Sequence, residues 1–156
     1  MSRKIPIAIL LFFFALSARG ADPLEKPILA PEPTSSAKPK RLHAVLAKDE
    51  RKEPTAVFTS EMPKIRAFWT ASGLTAGDRV GVVWLAEDVG IDAPHDSKIS
   101  QGVVTAYKTE DNGIFALVQP KGGWPLGKYR CELYLNGKLT ESIDFTIEKG
   151  VTVELQ

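Results

Sequence analysis

The densest run of chemically competent side chains is Glu87-Asp88-Val89-Gly90-Ile91-Asp92-Ala93-Pro94-His95-Asp96. Calcium takes several carboxylate and carbonyl oxygens at once, so Glu87, Asp88, Asp92 and Asp96 form a weak Ca²⁺ candidate. Two carboxylates beside an imidazole can also share general acid and base work, which is the basis of a remote reading as a small hydrolase. The spacing fits neither template, and the plainest reading is an acidic, solvated loop between strands. The rest of the chain offers little chemistry. His43 and His95 lie in different segments, and no serine sits in a Gly-x-Ser-x-Gly elbow. There is no Walker loop and no His-Glu-x-x-His. Cys131 is the only cysteine, which excludes an intramolecular disulfide and a Cys-rich metal site. Trp124, in Gly122-Gly123-Trp124-Pro125, can lid a domain or offer a stacking surface to a sugar. No catalytic residue, resident metal or cofactor is implied, and the chain reads as a non-enzyme.

These groups sit in a chain of 156 residues, 44 % hydrophobic, 25 % charged and 8 % aromatic. The formal charge of +1 is skewed by Arg3, Lys4 and Arg19, with no acid in the first twenty residues. Without that segment 17 basic residues face 19 acidic ones, a net of −2, which excludes a broad basic footprint for nucleic acid. Residues 1–20 read as a secretory signal. Arg3 and Lys4 precede an apolar run from Ile5 to Ala18, and Ala18 and Gly20 are small at −3 and −1 for cleavage before Ala21. The alternative, a retained anchor, needs roughly 20 apolar residues, and this run is shorter. The expected location is therefore the periplasm or the extracellular space, with no membrane span after cleavage.

Residues 21–55 read as a flexible linker. They hold six of the eleven prolines, no aromatic residue and a nearly even mixture of charges. Such a stretch cannot bury enough apolar area to offset roughly 1–2 kcal/mol of backbone entropy per residue. Within it Leu42, Val45 and Leu46 fall on one helical face, so a short helix over 40–52 is a possible exception. His43 is expected there as a solvated linker histidine.

From Ala56 onward the pattern changes to period two. Ile65, Ala67 and Trp69 fall at every second position, as do Val80, Val82, Trp84 and Ala86, then Tyr129, Cys131 and Leu133, then Ile143, Phe145 and Ile147, with mostly polar residues between them except Phe68, Val83 and Leu85. Turn signals such as Asp111-Asn112-Gly113 and Asn136-Gly137 separate the runs. About seven short strands in about 100 residues predict an all-β antiparallel sandwich over residues 56–156. A two-residue turn at Asn136-Gly137 would set the polar face of one strand against the core face of the next. A three-residue loop with a bulge, and Gly137 left-handed, repairs the parity, pairing Leu133 with Leu139 and Tyr129 with Ile143.

Tyr129-Arg130-Cys131 resembles the start of strand F in immunoglobulin-like domains, and Trp84 resembles the tryptophan of strand C. The stretch from Gly123 to Lys138, with Asp144-Phe145-Thr146-Ile147, is similar to the end of immunoglobulin-like modules of bacterial exported proteins. The likeness spans about residues 56–148. It departs in lacking a strand B cysteine to partner Cys131, so no intersheet disulfide is implied. The resemblance implies a generic interaction role and no active site. It also makes Tyr129 a tyrosine corner, Cys131 a small buried hydrophobe, and Trp69 and Trp84 core residues.

The functional expectation is a non-catalytic scaffold or protein-interaction module on a tether, with another exported protein or a second copy as partner. The second reading is a carbohydrate-binding module built on Trp124. In the implied sheet the outward positions include Val83, Leu85, Arg130, Glu132 and Tyr134, which together with Trp124 form the candidate binding surface. The alternative to a partner on this face is cover by the chain's own tail, because Val151, Val153 and Leu155 keep the parity of the last strand and are able to form one more.

Overall fold

The computed structural model describes residues 38–151. The expected signal segment and the first part of the expected linker lie outside the described residues. Eight strands follow in chain order: β1 (Arg41–Ala47), β2 (Val57–Thr59), β3 (Lys64–Ser72), β4 (Arg79–Asp88), β5 (Ser97–Thr105), β6 (Asp111–Val118), β7 (Gly127–Leu135) and β8 (Lys138–Glu148). They form a three-stranded sheet, β1-β3-β6, and a five-stranded sheet, β2-β8-β7-β4-β5. Every pairing is antiparallel except β2 with β8. β4, β7 and β8 share one sheet with β7 between them, as strands C, F and G do in immunoglobulin domains. β3 and β6 share the other, as B and E do. The domain is an immunoglobulin-like β-sandwich, and Cys131 is a free, buried thiol within it.

The alternation of the sequence places the core. Ile65, Ala67 and Trp69 of β3, Val80, Val82 and Trp84 of β4, and Tyr129, Cys131 and Leu133 of β7 are all buried between the sheets. Phe145 is the hub. It meets Phe58 edge-on at 5.7 Å and Trp84 edge-on at 6.0 Å, and stacks on Tyr129 at 5.3 Å. Each such aromatic pair adds roughly 0.5–1.5 kcal/mol beyond the area it buries.

Two expectations are corrected. The reading of residues 40–52 as a helix within a linker that runs to residue 55 fails, because β1 occupies Arg41–Ala47 and pairs with β3 along its whole length. Leu42, Ala44 and Leu46 are buried with a period of two that a small residue, Ala44, completes, and Ala47 is buried at the strand end. The sandwich therefore starts before residue 56 and has eight strands rather than about seven. His43, on the outward side of β1, has a partner: its Nδ1 lies 3.1 Å from Glu141.

The β7–β8 hairpin keeps the two-residue turn that parity had argued against. Asn136 (φ 53°) and Gly137 (φ 80°) are both left-handed, and Leu135 pairs with Lys138. A bulge between Leu133 and Tyr134 then shifts the register, so Tyr134 meets Leu139, Leu133 meets Glu141 and Tyr129 meets Phe145. The parity conflict was real. One extra residue in β8, rather than a longer loop, resolves it.

Of the further strand weighed for the tail, Val153 and Leu155 lie outside the described residues. β8 ends at Glu148, and Val151 is 88 % exposed. Gly150 lies against Glu61 in the β2–β3 turn, toward the β2 edge and away from β4.

Candidate functional site

The outward side chains of β4 and β7 stand side by side because the two strands pair in register. Val83 is opposite Glu132, Leu85 opposite Arg130 and Gly81 opposite Tyr134. On the other side of β4, Gly81 pairs with Val103 and Val83 with Gln101 of β5. Five of the residues predicted as the binding surface are thus neighbours on one face: Val83, Leu85, Tyr134, Arg130 and Glu132.

Gly81 shapes this face. Without a side chain at that position, a depression of about 400 Å³ opens between Val83, Val103, Tyr134 and Arg79. Packing does not demand a glycine there. A Cβ built on Gly81 would come no closer than 3.6 Å to any neighbour, and the residue does not carry a positive φ. Val103, 53 % exposed, stands open at the rim.

A polar chain runs along the same face. The Arg130 guanidinium donates to Glu132 at 3.0 Å and to Asp96 at 3.0 Å, with Glu87 at 3.9 Å. The Tyr134 hydroxyl donates to the second oxygen of Glu132 at 2.6 Å. The bond to Glu132 and the charge of that carboxylate, with desolvation between them, hold the Tyr134 hydroxyl above its ordinary range. Asp96 sits at φ 56°, and its carboxyl is lowered first by the bond from His95 and then by Arg130. This network spends Asp96 and Glu132 on a single arginine and pins Tyr134 against the sheet.

The same network engages the acidic loop. Asp96, with Glu87 at the longer distance, turns toward Arg130, and Asp88 accepts the Gly90 amide at 3.2 Å within its own 3₁₀ turn (Gly90–Asp92). Among the described residues no group of three or more acidic, histidine or cysteine side chains converges to hold a cation. Glu87, Asp88, Asp92 and Asp96 are an acidic loop stapled to β7.

Of its two readings, Trp124 takes that of a lid. It is only 6 % exposed, and its indole N–H donates to the Met62 carbonyl at 2.6 Å. A ring buried in this way lids the sandwich end and has no free face for a sugar. Next to it the Tyr129 hydroxyl donates to the Pro125 carbonyl, four residues upstream, at 2.6 Å. Burial pushes that phenol up to about 12, the charge of Asp92 adding to it. Burial likewise raises the Cys131 thiol, with Glu141 and Glu132 contributing.

Two features escaped the sequence reading. Val103 and Gln101 join the face only because β5 pairs with β4. Asp78 is buried at the end of the same face. It accepts Lys40 Nζ at 2.7 Å, the Thr75 amide at 2.8 Å and the Asn136 side-chain amide at 2.9 Å. These three partners lie before β1, in the β3–β4 turn and in the β7–β8 hairpin, and only the fold gathers them.

Fold and site together define a disulfide-free immunoglobulin-like sandwich with an open, apolar-centred outer face. No protein-family model and no curated protein matches the chain. Among solved structures, it is similar to an immunoglobulin-like protein from Pseudomonas aeruginosa, with 13 % identity, TM-score 0.47, and coverage of 72 % of this chain and 99 % of that one. It is also similar to a β-glucosidase from Listeria innocua in complex with laminaribiose, with 10 % identity, TM-score 0.49, and coverage of 72 % and 17 %. A third is an alkylpurine DNA glycosylase from Pseudomonas fluorescens bound to DNA containing an abasic site analog, with 13 % identity, TM-score 0.44, and coverage of 69 % and 30 %. This chain spans less than a third of either enzyme.

Proposed function

We propose that this chain is a non-catalytic, exported interaction module that binds another protein through the outer face of β4 and β7. The immunoglobulin-like fold supports a non-catalytic module in general. The observation that carries the specific reading is the depression over Gly81: a strand glycine that packing does not require, framed by Val83, Val103 and Tyr134 with charged groups around it. An apolar and aromatic centre within a polar rim is the usual anatomy of a protein interface. Export rests on the signal reading of residues 1–20. The test uses the purified protein as bait in an extract of the exported fraction, beside Gly81→Val and the double variant Leu85→Lys with Tyr134→Ser. Valine suits a strand and fills the depression without touching the core. A partner retained by the parent and lost by both variants supports the reading. A partner retained equally by all three, or none retained by the parent, refutes it.

A further inference from the structure

The depression over Gly81 is electrostatically one-sided. Val83, Val103 and Tyr134 line it with apolar and aromatic surface, and the one charged residue in its lining is Arg79, at the end next to the β7–β8 hairpin. No aspartate or glutamate lines it. The acids beside it on β4 and β7 are already spent. Asp78, buried, accepts Lys40, the Thr75 amide and the Asn136 side-chain amide. Glu132 accepts Arg130 on one oxygen and Tyr134 on the other. Arg79 differs from them. Its backbone amide donates to Asn136 at 2.8 Å, but among the described residues its exposed guanidinium has no hydrogen bond and no ion pair. Gly137 lines the same end, and among the described residues its amide has no backbone partner. Residues two apart in a strand share a face, so Arg79 stands on the outer face about 7 Å from Gly81, at roughly 3.3 Å per residue.

Resting on the reading of this face as a protein-binding surface, we propose that the partner docks by its C-terminal residue, with an apolar side chain in the depression and the free carboxylate on Arg79. Charge complementarity selects this occupant. The hairpin end of the depression offers an unpaired cation and no acid, so it attracts an anion and repels a cation. A C-terminal residue carries a carboxylate and a side chain on one Cα, which suits an apolar hollow and a cation about 7 Å apart. Guanidinium and carboxylate meet through two parallel N–H···O bonds, which are stronger than neutral ones and fix direction. The Gly137 amide offers a second donor at that end, and capture of chain termini on backbone N–H groups is a recurring mode of peptide recognition. The depression, at about 400 Å³, falls at the small end of the roughly 300–1,000 Å³ of ligand sites, which suits the end of a chain. Its walls select the apolar side chain, and Arg79 selects the terminus over the same residue within a chain.

Amide chemical shifts of the purified protein, titrated with defined peptides at low salt, test this. The probes are acetyl-Gly-Ser-Gly-Val-Leu as the free acid, the same peptide as its C-terminal amide, and acetyl-Gly-Ser-Asp-Val-Leu as the amide. The free acid should shift Gly81, Val103 and Gly137 saturably, and both amides should bind at least tenfold more weakly. Arg79→Met should bind the acid and its amide alike, and Arg79→Lys should recover part of the preference. Gly81→Val should lose all three probes. Arg79 is exposed and its backbone bonds persist in these variants, so they should keep their fold, which the near-ultraviolet spectrum verifies. Equal affinity of acid and amide, a preference that survives in Arg79→Met, or no binding of the free acid would overturn the proposal. The two readings fail separately. If acid and amide shift the same amides equally, or if no probe binds while Gly81→Val still abolishes capture of a partner, only the C-terminal reading falls. If Gly81→Val leaves capture of the partner intact, the reading of the outer face falls as well.

Discussion

Tyr129→Phe isolates one hydrogen bond. The ring is retained, so its stacking on Phe145 at 5.3 Å and its place in the core persist. What is lost is the 2.6 Å bond from the hydroxyl to the Pro125 carbonyl, which fastens the loop entering β7. A net hydrogen bond contributes about 0.5–1.5 kcal/mol, and an acceptor left unsatisfied in a buried setting costs about 1–3 kcal/mol. Pro125 is half-buried, so water reaches its carbonyl only in part, and a loss of about 2 kcal/mol follows. With a urea slope of about 1–3 kcal/mol per molar, the unfolding midpoint should fall by about 1 M, read by tryptophan fluorescence. The pH dependence provides an independent measurement. Burial, with Asp92, raises the folded phenol to about 12, above its ordinary value of 10.0. The contribution of Tyr129 is therefore whole below pH 10 and is lost as pH rises from 10 through about 12, because the unfolded chain releases that proton first. The parent should lose stability over this window more steeply than Tyr129→Phe. A midpoint change equivalent to less than about 0.5 kcal/mol, the lower edge of a net hydrogen bond, together with parallel alkaline limbs, would refute the reasoning.

Three further outcomes are expected. Gly113→Ala brings a Cβ to 2.7 Å from the Trp69 ring, which is already stacked on Phe115, and overpacking of this kind should destabilise by about 1–3 kcal/mol in urea unfolding. Unchanged stability would mean that the indole shifts freely. Asp78 is held far below the usual carboxylate range by the Lys40 bond first, then the Thr75 amide and Asn136. Its contribution is whole above the unfolded value near pH 4 and is lost as pH falls through the folded one, so Asp78→Asn should be less stable at neutral pH and show a shallower acid limb. An acid limb of parental slope would contradict this. Cys131 should resist a thiol reagent in the native protein and react at once in urea, since burial keeps it protonated, and rapid native labelling would overturn its placement in the core.

The outer face shows how unevenly the site could be read. Val83, Leu85, Arg130, Glu132 and Tyr134 were legible because a strand sends alternate side chains to opposite faces, and parity alone assigns them outward. Their adjacency depended on the resemblance of β4 and β7 to strands C and F. Val103 and Gln101 were not legible, since nothing local says which strand lies beside β4. Trp124 was left undecided because its loop carries no period, and a bond to Met62, 62 residues away, decides it. Asp96 read as an acidic loop residue and serves as a counter-ion to Arg130 across 34 residues.

β1 and the β7–β8 hairpin mark the boundary between the two kinds of information. Locally, residues 40–52 carry a helical spacing of leucines and valine within a proline-rich, aromatic-free stretch, and the domain boundary was placed after them. β3 overrules that reading by offering a full-length pairing edge that a helix cannot use. At the hairpin, parity correctly required one odd residue, but the three-residue loop drawn from it gives way to the two-residue turn that Asn136-Gly137 signals. Only the packed sheet could put the odd residue in β8 as a bulge. Alternation, turn chemistry and the lone cysteine belong to short-range chemistry, so the all-β class, the core of β3, β4, β7 and β8, and the absence of a disulfide were already determined by the chain itself. Edge order, bulge position and the gathering of Lys40, Asp78 and Asn136 are set by contacts between distant segments, whose free energy exists only once the two sheets have closed on each other.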